Sequence, residues 1–173
     1  GVYYLYDRKR QKLSELAVIR PAVDPDLMTP VKRVTVIARD GRSRQADLTL
    51  PRGRAPKNLP LIIHPHGGPF GIRDSWGFDR EVQFLASRGY AVVQVNFRGS
   101  GGYGSDFVSK GRYQWGRAMQ DDLTDAVQFL IKAGTADPKR IAIFGASYGG
   151  YAALAGAGHG VVLVARSGPA VPE

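Results

Sequence analysis

Gly145-Ala146-Ser147-Tyr148-Gly149 sets a serine between two glycines in the spacing G-x-S-x-G. A serine hydroxyl is a weak nucleophile until a base takes its proton and N–H groups face the negative oxygen that its attack creates. The spacing suits that chemistry. Glycines two before and two after leave room for a tight strand-to-helix turn that thrusts the hydroxyl outward. The helix that follows would aim its free N–H groups, at the positive end of its dipole, toward the same place. A chemically idle Gly/Ser turn would share these five residues, so the flanks decide. Ile141-Ala142-Ile143-Phe144 is an apolar run of strand length before the motif, and the small residues Tyr151-Ala152-Ala153-Leu154-Ala155 follow it. Both flanks favour a nucleophile. A second stretch, His66-Gly67-Gly68-Pro69, follows the apolar run Leu61-Ile62-Ile63. Its glycines let a backbone N–H approach a substrate carbonyl without side-chain obstruction.

These stretches need a scaffold that delivers them from strand ends. Val34, Val36 and Ala38 alternate with mostly polar neighbours, Asp40-Gly41 supplies a hairpin turn, and Ala46, Leu48 and Leu50 continue the alternation on the return strand. From Leu61 the pattern changes to strand–loop–helix units. Leu61–Ile63, Ala91–Val95 and Ile141–Phe144 are short and almost wholly apolar, as strands buried on both faces are. Phe78, Val82 and Leu85 form one helical stripe that ends at Gly89. Met119, Leu123, Ala126, Val127, Leu130 and Ile131 form a wider one, with Asp121 and Asp122 near its start, where the helix dipole favours negative charge. The alternation predicts an α/β fold of the α/β-hydrolase type: a mostly parallel sheet with helices on both faces and the hairpin as its antiparallel edge.

Composition sets the outer bounds. At 173 residues the chain suits one domain with a core, and 43% apolar with 23% charged residues is a globular balance. No apolar run nears the ~20 residues that span a bilayer, so no membrane partner is expected. The start, Gly1 to Arg10, lacks the order of a secretory signal, and a cytoplasmic location is the expectation. A chain without an initiator Met also reads as the continuation of something upstream. The absence of cysteine removes disulfide and thiol chemistry. A net charge of +9 raises nucleic acid as a partner, but the basic residues are scattered, with no aromatic platform among them, so none is expected. Gly99-Ser100-Gly101-Gly102-Tyr103-Gly104 matches G-x-G-x-x-G, yet Ser105 to Gly116 shows no helical stripe to receive a dinucleotide. His64-Pro65-His66 has no acidic cluster near it to complete a metal site. Neither cofactor nor metal is predicted. Trp115, Tyr103 and Phe107 are assigned to core packing ahead of the site lining.

Several blocks together resemble the catalytic domain of the prolyl oligopeptidase family of serine peptidases, its acylaminoacyl-peptidase and dipeptidyl-aminopeptidase branch in particular. They are His66 to Pro69, Gly89 to Ser100, Gly102-Tyr103-Gly104, Asp121-Asp122-Leu123, Asp137 to Ile141 and Gly145 to Tyr151, in that order from about residue 31 to 156. The resemblance implies Ser147 as nucleophile, backbone N–H groups of Tyr148 and Gly68 as oxyanion donors, and His66 as a residue shaping that loop. It implies short peptides as substrates and a β-propeller ahead of the hydrolase domain. Residues 1–30 are then expected to be the end of that propeller and a linker, and residues 31–173 a catalytic domain incomplete at its C-terminus. A general esterase acting on small acyl esters, or a non-catalytic fragment, stays open beside the peptidase.

In this fold the acid and the histidine follow the serine in the chain. Past Ser147 there is no Asp; Glu173 is the sole acid and His159 the sole histidine. His159 lies twelve positions on, about 18 Å along an unbroken helix, and is not expected to be the base. The resemblance also fades after about Gly156. The chain by itself is therefore predicted to have little or no peptidase activity.

Overall fold

The computed structural model describes residues 1–157 and the backbone of residues 162–166. His159 and Glu173 lie outside the described residues. Two sheets are present. Strands β1 (Val2–Asp7) and β2 (Lys12–Val18) pair antiparallel as an isolated hairpin. The larger sheet has six strands: β3 (Val31–Ile37), β4 (Ser43–Thr49), β5 (Leu59–Ile63), β6 (Ala91–Val95), β7 (Ala136–Ala146) and β8 (Val162–Arg166). Their spatial order is β3-β4-β6-β5-β7-β8. The β3–β4 hairpin joins β6 antiparallel, and all pairs from β6 to β8 are parallel. This is the expected α/β arrangement with an antiparallel edge.

Side-chain alternation splits the sheet into two unlike faces. Odd-numbered Leu61, Ile63, Ala91, Val93, Val95, Ile141 and Ile143 join the main core beneath helices α3 (Ala118–Lys132) and α4 (Tyr148–Gly156). Met119, Leu123, Ala126, Val127 and Leu130 supply the α3 stripe, as its spacing predicts. The opposite face carries Ile62 and Val92, then polar Thr49, Asp47 and Gln94, all buried. Helix α1 (Arg80–Ser87) covers part of it. Beside α1 a groove of about 1080 Å³ runs over Ile62, Ala142 and Phe144, remote from the 145–149 turn in its lining. Among the described residues no helix is long and apolar enough to cross a membrane.

Three local readings change. Helix α1 begins at Arg80, because the Asp79 side chain accepts from Val82 N at 2.9 Å and caps it there. Phe78 is left outside and exposed, and Val82, Gln83 and Ala86 form the buried stripe. A five-residue helix, α2 (Ser105–Ser109), opens at Gly104, where a loop was expected. It buries none of its residues, which is why no stripe announced it. Strand β7 is 11 residues long, starting before Pro138 rather than after it. Beyond the nucleophile strand, β8 pairs along it from Ala142↔Val162 to Ala146↔Arg166.

Candidate active site

Ser147 falls between the end of β7 and the start of α4, at φ 56°, ψ −122°, and is exposed. A non-glycine residue at positive φ outside the usual left-handed well costs about 1–3 kcal/mol and persists only where its surroundings over-determine it. The surroundings do so. A Cβ on Gly149 would stand 2.3 Å from the Pro65 carbonyl oxygen, and one on Gly145 would stand 2.8 Å from Gly149 C. Strand end, first helical turn and the loop after β5 are thus packed backbone to backbone, and the serine takes the bend. Its carbonyl accepts from Tyr151 N at 3.1 Å, closing the first turn of α4.

The glycine-rich loop lies directly against it. The Cβ position of Gly67 is 3.4 Å from Ser147 Cβ and 3.8 Å from its Oγ. Gly68 has φ 116°, and a side chain there would meet Ile72 at 2.9 Å. His66 is held at three points: Nδ1 is 2.7 Å from the Gly67 carbonyl oxygen, Nε2 is 2.8 Å from Ser100 Oγ, and the ring stacks on Phe97 at 4.4 Å. Burial lowers its pKa, so the imidazole is neutral at pH 7.

Tyr148 turns its side chain into the protein. Its ring packs among Phe97, Trp115 and Tyr151 at 5.0–5.8 Å, and burial pushes the phenol pKa well up. Its backbone N–H is at the first position of α4, and the hydroxyl has no hydrogen-bond partner among the described residues. Trp115 corrects its assignment to the core: it is 46% exposed, edge-on to Tyr148 and beside Tyr151. Tyr103 and Phe107 do pack on each other, 5.1 Å apart.

Two polar assemblies behind the loop were not read from the sequence. In the first, wholly buried Asp122 accepts from Arg98 N at 2.8 Å and from its Nε at 2.9 Å. Buried Arg44 Nε stands 3.0 Å from the same carboxylate, close enough for an ion pair but misaligned for a hydrogen bond. The second holds the far end of the loop. Asp74 N donates to Asn96 Oδ1 at 2.9 Å, Gln94 Nε2 donates to Asp74 Oδ1 at 3.1 Å, and Asn96 Nδ2 donates to Tyr103 Oη at 2.9 Å. Burial, with Asp79 adding repulsion, raises the Asp74 pKa to about 7. The block Asn96 to Ser100 drew notice as a whole, yet nothing in it marked which side chain touches which loop.

The two histidines of His64-Pro65-His66 part company. His64 Nδ1 meets the Phe144 carbonyl oxygen at 2.8 Å and its Nε2 lies 3.6 Å from Glu81, on the face opposite His66's partners. Among the described residues no group of three or more His, Cys, Asp or Glu could hold a metal ion. Ser147 Oγ has no hydrogen-bond partner among them either.

The sequence profile of the prolyl oligopeptidase family, peptidase S9, matches residues 76–162, half of the chain. The chain belongs to the prolyl oligopeptidase family. Its similarity to individual proteins follows suit. It is 44% identical over 162 residues to dipeptidyl aminopeptidase BIII of Pseudoxanthomonas mexicana, covering 90% of this chain and 23% of that one. It is 39% identical over 92 residues to the acylamino-acid-releasing enzyme of Arabidopsis thaliana, covering 53% and 12%. Among solved structures, a Mycobacterium tuberculosis puromycin-hydrolyzing peptidase superposes with TM-score 0.75 at 31% identity, over 88% of this chain and 24% of that one. The Pyrococcus horikoshii acylaminoacyl peptidase gives 0.73 at 28%, with the same coverage. The chain spans about a quarter or less of these prolyl oligopeptidase family members. The chain shares their α/β-hydrolase fold in part.

Proposed function

We propose that this chain carries the nucleophile half of a serine peptidase acting on short peptides through an acyl-enzyme on Ser147. The observation that carries the reading is Ser147 itself, exposed at φ 56° with the Gly67 backbone against its hydroxyl. In the reaction Oγ attacks the scissile carbonyl carbon while a base takes its proton. The carbonyl π pair moves to oxygen, and in this reading the N–H groups of Gly68 and Tyr148 receive that charge, with His66 shaping the Gly68 loop. Collapse expels the amine, which takes a proton, and water then releases the acyl group by the same steps. No cofactor enters this route. The base and its acid partner are not among the described residues, and in this fold both follow the nucleophile.

The short-peptide preference draws on the names of the relatives, a dipeptidyl aminopeptidase and a puromycin-hydrolyzing peptidase. Residues 1–30 we read as the end of an upstream propeller. The β1–β2 hairpin supports this, since its strands pair only with each other and leave Tyr3, Tyr4, Leu5, Tyr6, Leu13 and Leu16 exposed.

The test is turnover of aminoacyl-anilides against p-nitrophenyl esters by the full-length protein, with Ser147→Ala as control. Anilide hydrolysis that vanishes in the variant supports the peptidase; ester hydrolysis alone points to an esterase, and neither to a non-catalytic chain. Residues 1–173 alone are expected to react slowly with a fluorophosphonate probe, and rapid Ser147-dependent labelling would overturn that.

A further inference from the structure

Ser100 is fully buried beneath the glycine-rich loop and has one side-chain partner, His66 Nε2 at 2.8 Å. The other ring nitrogen, Nδ1, lies 2.7 Å from the Gly67 carbonyl oxygen. A carbonyl oxygen can only accept, so Nδ1 carries the hydrogen. The neutral ring then has an acceptor at Nε2, and Ser100 must donate to it. The reverse tautomer would press the Nδ1 lone pair against the Gly67 oxygen at that same short distance. The Gly67 carbonyl therefore sets the tautomer, and the hydroxyl, able to donate or accept, donates to Nε2 and holds the ring in place.

The consequence reaches the reaction centre through one peptide plane. The Gly67–Gly68 bond is trans, so its C=O and N–H point in opposite directions. Neither residue has a side chain to resist rotation of that plane, and Gly68 at φ 116° has wide backbone freedom. What holds the plane is the bond from His66 Nδ1–H to the Gly67 oxygen. Pulling the oxygen toward His66 turns the Gly68 N–H away from it.

We infer that Ser100 is a positioning residue that, by donating to His66 Nε2, holds the His66 ring where its Nδ1–H grips the Gly67 carbonyl, and with it the direction of the Gly68 N–H. The inference rests on the proposed oxyanion role of Gly68. Ser100 is itself well anchored. Its N–H donates to the Phe97 carbonyl at 3.0 Å, and neighbouring Arg98 is fastened to Asp122 by backbone and side chain. Phe97 at the other end of that turn supplies the face on which the imidazole stacks. A short buried turn thus presets both the plane of the ring and its rotation within that plane.

The experiment pairs a spectroscopic readout with kinetics on the full-length protein. With ¹⁵N-labelled histidine at pH 8, His66, assigned by its loss in His66→Gln, should show the Nδ1–H tautomer. Ser100→Ala should move the His66 Nε2 resonance toward that of an unbonded nitrogen and lower kcat on an aminoacyl-anilide about 10- to 100-fold, with KM within about twofold, since a misdirected donor costs less than the 10²–10³ of a deleted one. Ser100→Thr, which keeps the hydroxyl, should restore both. An Nε2–H tautomer in the wild type, or an Nε2 resonance unchanged in Ser100→Ala, overturns the inference. A shifted Nε2 resonance with unchanged kcat overturns the link to Gly68. If no form of the protein turns over the anilide, the peptidase reading fails while the nitrogen measurement still decides the role of Ser100.

Discussion

Two turns meet at the candidate nucleophile, and they are held by opposite means. The 145–149 turn is held by exclusion: backbone atoms approach so closely that glycine alone fits at its two flanks. The 66–74 loop is held by attraction, through His66 to Ser100 at one end and Asp74 to Asn96 and Gln94 at the other. The first is stiff because there is nowhere to go, the second because specific partners grip it. A sterically held turn fails when an atom is added. A polar one fails when an atom is removed.

The largest loss should come from the polar side. Asp122→Ala takes the wholly buried carboxylate from Arg44 and Arg98, both largely or wholly buried, and leaves Asp40 as the acid they share. Breaking a buried pair in this way costs about 3–5 kcal/mol, measurable by urea unfolding. The Arg98–Ser100 turn should loosen with it, so hydrogen exchange at Gly99 and Gly101 should rise.

Gly149→Ala makes the complementary break. Its methyl carbon would sit 2.3 Å from the Pro65 oxygen, and the backbone must yield, at a cost of about 3 kcal/mol. A Gly149→Ala variant as stable as wild type would show that the turn is looser than these distances require.

Position 147 measures the stored strain with its chemistry removed. Ser147→Gly and Ser147→Ala both lack the hydroxyl, but only glycine occupies φ 56°, ψ −122° without penalty. The Gly variant should be more stable by about 1–2 kcal/mol in the same unfolding assay. Equal stabilities would remove strain from the account of this turn.

The last break is one of pH, and it reads as a slope. Asp74 keeps its proton in the folded protein up to about pH 7, whereas in the unfolded chain it ionises near the ordinary value of 3.8. The folded state thus binds more protons between these values, and its contribution to stability falls as pH rises through that window, by at most about 1.4 kcal/mol per pH unit. Below the window the contribution is complete; above it, the loss is. Asp74→Asn should flatten this part of the stability profile, and an unchanged slope would place the titration elsewhere.

Legibility followed the same division. The G-x-S-x-G turn was readable because its requirements are local: an apolar strand, two glycines and small helix residues, all contiguous. The parallel strands were readable for a related reason, since burial on both faces leaves near-continuous apolar runs. Asp122 shows where local reading stops. Beside a helix start it reads as a dipole-compensating surface acid, and only the approach of β4 and the 96–100 turn makes it the buried anchor of two arginines. Trp115 errs the other way, an aromatic of core type left half-exposed at the rim of the site because Tyr148 and Tyr151 fill the space behind it. Helix α2 left no stripe since it buries nothing.

From the sequence alone come the α/β class, the succession of β5, α1, β6, α3, β7 and α4, the serine at 147 and the glycine-rich partner loop at 66–69. Each depends on spacing along a few adjacent residues, which the chain states directly. Tertiary structure decided that Gly67 lies against Ser147, that Ser100 grips His66, and that Asp74 holds its proton up to about pH 7. Those outcomes depend on residues about 20 to 80 positions apart being brought within hydrogen-bond distance and out of water. Hydrogen bonds and desolvation act through space, and no spacing along the chain encodes them.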